Sequence, residues 1–252
     1  MRLGSRGPPD HCARIGPGKQ GHLSATLRRV TTTAEPDALA VPSDSTPAPN
    51  RFSLRGRALP RRLVQLYVGL VLFGVSMALM VRSDLGVMPW DVLHQGLARH
   101  LGGSIGGWSM VIGALVLLGW VPLRERPGLG TVSNVVVIGV AVDAALAVLP
   151  DVESWAARAA LVISGVALNA VATAAYVGAR LGPGPRDGLM TGLVRRTGGS
   201  VRLVRTSIEV VVVLAGWALG GTLGIATVLY AVTIGPLVHL LLPRLTVPSR
   251  PR

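Results

Sequence analysis

The sequence predicts an all-α, polytopic membrane protein of about six transmembrane helices, arranged as two inverted three-helix repeats, each with a Gly/Pro-broken segment. Three observations predict it. Half of the 252 residues are hydrophobic, 15% are charged, and the mean hydropathy is positive, a balance typical of integral membrane proteins. Second, Leu85-Gly86-Val87-Met88-Pro89-Trp90-Asp91, followed by Leu93, Gly96, Leu97 and Arg99, returns without a gap. The echo is Leu181-Gly182-Pro183-Gly184-Pro185-Arg186-Asp187, followed by Leu189, Gly192, Leu193 and Arg195. The identity runs on through Gly102-Gly103-Ser104 and Gly198-Gly199-Ser200, which marks an internal duplication. Third, the arginines gather at the ends of alternate apolar runs.

Residues 1–60 read as a disordered, basic extension. Pro, Ser, Thr, Gly and Arg dominate it, as in Val41-Pro42-Ser43-Asp44-Ser45-Thr46-Pro47, and no periodic apolar face emerges. No apolar core of signal-peptide length follows its first basic residues. The transmembrane domain covers 61–243, with repeat one at about 63–150 and repeat two at about 157–243. Spanning takes about 20 apolar residues. Leu63 to Val81 supplies the first run, after Arg55, Arg57, Arg61 and Arg62. The first motif follows. A second span covers Ile105 to Val121, with Trp108 and Trp120 near its ends, where amphipathic rings favour the lipid–water interface. A charged loop, Pro122 to Gly130, leads to a third span at Thr131 to Leu149. The second half repeats this plan: a span at Ala157 to Val177, the second motif, a span at Thr206 to Leu219, and a last span ending near Leu242-Pro243. Residues 244–252 form a short basic tail.

Arginine and lysine favour the cytoplasmic side of a membrane. With both termini cytoplasmic, the Arg cluster before the first span, Arg124, Arg126, the Arg residues from Arg180 to Arg205 and the C-terminal Arg all lie inside. Arg82, Arg99 and Arg158 remain outside. Each repeat holds an odd number of spans, so the two copies must be inserted upside down relative to each other, a recurring plan of secondary transporters. The first motif then faces outward and the second faces the cytoplasm. A bacterial plasma membrane is the expected location.

The net charge of +13 does not point to nucleic acid, because no basic stripe with interleaved aromatics accompanies it. Cys12 is the only cysteine, which rules out an intrachain disulfide. No nucleophile motif, no paired-His metal spacing and no phosphate-cradling loop is present. Gly182-Pro183-Gly184-Pro185 has prolines where a phosphate nest needs amide donors. No catalytic residue, cofactor or metal is therefore expected.

The candidate path residues are Gly86, Pro89, Trp90, Asp91 and His94 in the first copy and Gly182, Pro185 and Asp187 in the second, with Asp143 in the third span. Proline lacks an amide hydrogen and restrains the residue before it, so Pro89 and Pro185 are suited to open short helices. Asp91 and Asp187 then fall in the first turn, near the positive end of the helix dipole. Two readings of the motifs stand: half-helices that enter from opposite faces and meet near the centre, with both Asp lining a path, or short surface helices that the Asp merely cap. His94 lies three residues after Asp91, on the same face of a helix; the pair is either a proton relay or a local hydrogen bond. Intramembrane ionisable groups default to function, and Asp143 is the expected coupling or counter-charge. Glu209 stands four residues from Arg205 as a structural ion pair, and Asn169 is mid-span, suited to joining helices.

Leu85-Gly86-x-x-Pro89-Trp90-Asp91-Val92-Leu93-His94-x-Gly96-Leu97, followed by Gly106-Gly107-Trp108, resembles the signature of the YczE-like group of bacterial integral membrane proteins, related to the YitT group. The resemblance covers about Arg61 to Pro243 and implies a multi-pass inner-membrane protein. The expected function is transport or export of a small solute. The alternative is a non-transporting membrane scaffold or regulator that assists another protein. The expected partners are the lipid bilayer, an unknown small solute and, as a further option, a second copy of the chain.

Overall fold

The computed structural model describes residues 59–247, so the expectations for the N-terminal extension, and for the tail beyond 247, lie outside the described residues. Among the described residues there are eight helices and no strand: α1 Leu59–Ser83, α2 Pro89–Leu101, α3 Ile105–Leu123, α4 Leu129–Val148, α5 Trp155–Gly178, α6 Pro185–Thr197, α7 Val201–Ala218 and α8 Ile225–Leu245.

Local chemistry sets the boundaries. Pro89 and Pro185 each open a 13-residue helix at its first turn. Ser104, Ser154 and Ser200 cap α3, α5 and α7, their hydroxyls accepting from the amides of Gly107, Ala157 and Leu203. At the starts of α4 and α8, the hydroxyls of Thr131 and Thr227 accept from the amides of Gly128 and Gly224. Gly86 and Gly182 turn the chain after α1 and α5 at φ +118° and +138°, conformations that a side chain would strain.

Five helices are long and apolar enough to cross a membrane: α1, α3, α4, α5 and α8. The sequence reading placed a span in α7 as well. This helix has 18 residues, but Arg202, Arg205 and Glu209 fall in its first half, so length and composition alone do not qualify it. The outward faces of α3, α4 and α8 carry Val111, Leu115, Leu118, Val132, Val136, Val140, Val228, Val232 and Leu240, all exposed. So much exposed aliphatic surface suits lipid and not water. Helices α2 and α6 are about 20 Å long, too short to cross a hydrocarbon core of about 30 Å.

Helices α1 and α5 form the centre. Of their spanning windows, 44% and 50% are buried, against 17%, 22% and 17% in α3, α4 and α8. They cross where glycine lets backbones meet. Gly69 lies against Ala172 and Tyr176, and Gly165 lies against Ser76 and Met80. Residue numbers rise along one helix as they fall along the other, so the two helices run antiparallel. Around this pair, α4 packs on α1, α8 on α5, α2 on α7 and α6 on α3.

These contacts come in pairs linked by the motif offset, the spacing that carries Leu85 to Leu181. The amide of Ala226 donates to Leu85 O at 3.0 Å, and that of Gly130 donates to Leu181 O at 2.9 Å. Gly86 abuts Gly224 and Thr227; Gly182 abuts Gly128 and Thr131. Arg99 donates to Gly220 O, and Arg195 donates to Leu123 O, each at 2.7 Å, the acceptors here standing one residue out of register with the offset. In every case the short segment of one half docks on the long helices of the other.

Candidate functional site

The first motif is interior. Pro89, Trp90, Asp91, Val92, His94, Gln95 and Gly96 are all buried, so α2 is not a surface helix. Gly216 of α7 makes this possible, because it lets the Val92–Leu93 backbone lie directly on α7. In the other half the sizes are reversed: Gly188 of α6 accepts the Trp120 ring of α3. Trp120 is therefore buried and donates its indole N–H to Pro185 O at 3.0 Å. That corrects its expected place at the lipid–water interface. A glycine face offers the ring more contact than lipid headgroups do.

The tips of the two short helices meet. The Arg186 guanidinium, one residue into α6, stacks 4.7 Å above the Trp90 ring of α2, a cation–π contact. Its Nη2 lies 3.9 Å from Asp91 Oδ1. Trp90 and Arg186 hold the same position in the two motifs, so equivalent residues touch each other. Asp91 Oδ1 also meets His94 Nδ1 at 3.2 Å, and both side chains are 1% exposed. Asp91 Oδ2 is buried with no hydrogen-bond partner. Asp187, the equivalent of Asp91, is exposed. The two acids therefore occupy different environments, one sealed and one open.

A polar network backs the tips. Asn169 of α5 is fully buried, donates to Ser76 Oγ of α1 at 2.8 Å and accepts from the Tyr230 hydroxyl of α8 at 2.9 Å. Its Nδ2 lies 3.6 Å from the sulfur of Met88, the residue preceding α2. The expected role of Asn169 in joining helices is what the structure displays. The expected Arg205–Glu209 pair is also present, at 3.1 Å.

Of the sequence-predicted path residues, Trp90, Asp91 and His94 lie together at the tip of α2, with Pro89 at its start. Pro185 and Asp187 lie at the tip of α6. Gly86 and Gly182 shape the turns that lead in, and each touches a long helix of the other half. Asp143 is held elsewhere. Its carboxylate accepts from Ser104 Oγ at 2.6 Å and from the Gly106 amide at 2.8 Å, so it ties α4 to the start of α3. Here Asp143, expected as a coupling or counter-charge, has a capping contact at the start of α3. Asp143→Ala is expected to cost about 1–2 kcal/mol through the lost cap, read as a lower melting temperature of the detergent-solubilised protein. An unchanged melt would remove the cap from this account.

Sequence reasoning missed Arg186 as the partner of Trp90 and Asp91, and it missed Tyr230. A signal for Arg186 existed, since it stands where the first copy has Trp90, one residue before an Asp in both copies. Among the described residues, no group of three or more His, Cys, Asp or Glu is placed to hold a metal ion.

The fold and these tips define a class: an all-α, multi-pass membrane protein in which two short Pro-led helices meet inside a bundle of long apolar ones. The chain belongs to the family described as "Family of unknown function (DUF6198)", whose profile matches residues 60–243. It is 40% identical over 177 residues to an uncharacterized protein of Haemophilus influenzae, covering 70% of this chain and 81% of that one. It is 36% identical over 182 residues to the uncharacterized membrane protein YczE of Bacillus subtilis, covering 71% and 84%. A third relative, the uncharacterized protein YyaS of Bacillus subtilis, is 23% identical over 180 residues, covering 70% and 90%. The YczE-like resemblance drawn from the first motif is thereby borne out. No solved structure matches the chain.

Proposed function

We propose that the chain carries a small solute across a bacterial plasma membrane, with both termini cytoplasmic and two inverted repeats that alternate in opening. It acts as a transporter and not as an enzyme. One observation carries this reading: two half-helices meet tip to tip in the interior, with the ionisable side chains of Asp91, His94 and Arg186 at the junction. Broken helices of this kind, paired between inverted halves, mark the binding centre of many secondary transporters. Such a break is tolerated at membrane depth only where protein or a water-filled cavity satisfies the backbone. The antiparallel crossing of α1 and α5, which are equivalent under the duplication, supports the inversion. A twofold axis relating antiparallel spans lies in the membrane plane. The sealed Asp91 and exposed Asp187 fit a conformation open on the side of the second motif.

Thiol labelling tests the arrangement. Cys12→Ser removes the lone cysteine, and Asp91→Cys or Asp187→Cys then introduces one probe at a time. A membrane-impermeant reagent should reach position 187 only in inverted vesicles. It should reach position 91 only in intact cells, and far more slowly than a Ser154→Cys control in the loop before α5. Labelling of both positions from one face would end the inverted arrangement and with it the transport reading, leaving the scaffold alternative.

A further inference from the structure

Resting on the transport reading and deepening it, we propose that Asp91 is the proton-binding group of the centre and that its protonation decides whether Arg186 stays on the tip of α2. The solute's movement is thereby coupled to a proton.

The argument begins with an unmet requirement. An ionised carboxylate has lone pairs on both oxygens and needs donors for them. Asp91 Oδ1 has the His94 ring at 3.2 Å and the Arg186 guanidinium at a longer 3.9 Å. Oδ2 has none, in a side chain that is 1% exposed. A buried neutral carboxyl tolerates a missing hydrogen bond far better than a buried anion does. A metal cation would need several further oxygens and would sit against a guanidinium. A proton needs one lone pair.

The surroundings identify what the proton would change. From α2 itself, His94 faces Asp91. From α6 comes Arg186. From α8 comes Tyr230, within electrostatic reach of Asp91, Arg186, Arg205 and Glu209. From α7, Arg205 and Glu209 pair with each other at 3.1 Å, and Arg205 also lies within electrostatic reach of Asp187. Arg186 lies within electrostatic reach of both carboxylates, the sealed Asp91 and the open Asp187 beside it in sequence, and Arg205 acts on Asp187 more strongly than Arg186 does. When a proton bonds to Asp91, its charge is cancelled and the attraction across the tips is lost. Arg186 keeps the Trp90 face, and Asp187 is then the ionisable acid within its electrostatic reach. When the O–H bond breaks and the proton leaves to water, the Asp91–Arg186 attraction returns. The proton thus sets which half of the centre holds the guanidinium, and the guanidinium bridges the two half-helices.

Trp90 reports this directly. The purified full-length chain in detergent is titrated with acid while its fluorescence is recorded, and the signal of Trp90→Phe is subtracted to isolate Trp90. The expected result is a one-proton step in the Trp90 signal that disappears in Asp91→Asn. It persists in Asp91→Glu, which keeps an acid at the site, and in Asp151→Asn, which removes an exposed acid outside the centre. A step that survives Asp91→Asn overturns the proposal, as does the absence of any step in the parent chain. Neither result would alter the labelling pattern that tests transport, and one-faced labelling would leave the titration intact. The two ideas therefore fail separately.

Discussion

Gly216→Ala is expected to destabilise the protein by about 3 kcal/mol or more, at the upper end of overpacking costs. One methyl group is enough. Its carbon would overlap Leu93 N, Leu93 Cα and the Val92 carbonyl carbon. These are backbone atoms, so no rotamer change relieves the clash. Relief requires α2 to back away from α7, and α2 carries the sealed Asp91–His94 pair. The comparison that gives the test its force is Gly235→Ala in α8, where an added carbon meets nothing within 4 Å. That change should be neutral, or should stabilise by about 0.5–1 kcal/mol by removing a helical glycine. Thermal unfolding of both variants in one detergent checks the pair. If Gly216→Ala melts with the parent chain, α2 does not lie on α7 as described.

The second large effect concerns the tips. Arg186→Gln leaves Asp91 buried without its cation, which should cost about 2 kcal/mol, below the penalty of a fully sealed pair because Arg186 is 34% exposed. Asp91→Asn alone strands the guanidinium instead, on a side chain that water and Trp90 still reach, and should cost less. The double variant should cost less than the sum of the two single changes, because neither partner is left behind. Melting temperatures of the four proteins close the cycle, and strict additivity would mean that the 3.9 Å approach carries no energy. On the transport reading, solute movement should be lost in all three variants while folded protein remains. A scaffold would instead tolerate them.

Much of this architecture is written along the chain. The apolar runs and the Pro at the start of α2 and α6 are local signals, and the helices follow them, except that α7 begins at Val201, five residues before the apolar run read from Thr206. The motif echo reaches further, because it relates two distant stretches of the chain by residue identity. Other features are not local. Trp120 sits near the end of an apolar run, and its sequence surroundings alone suggest an interfacial ring. Its burial depends on Gly188, which is distant in sequence and faces it only after the halves exchange their short helices. Asp143 reads as a mid-span charge. The Ser104 hydroxyl and Gly106 amide that take it up arrive from the start of another helix.

The sequence by itself determined an all-α membrane protein with duplicated, Pro-broken segments and an acid in each, because hydropathy, proline and repetition act through neighbours in the chain. The tertiary structure alone decided that the two segments meet, that Arg186 stacks on Trp90, and that Asp91 is sealed while Asp187 is open. The physical reason is the antiparallel crossing of α1 and α5. With that crossing at the centre, the tips of α2 and α6 come together, so Trp90 and Arg186, which hold the same place in the two motifs and differ in chemistry, become each other's partners.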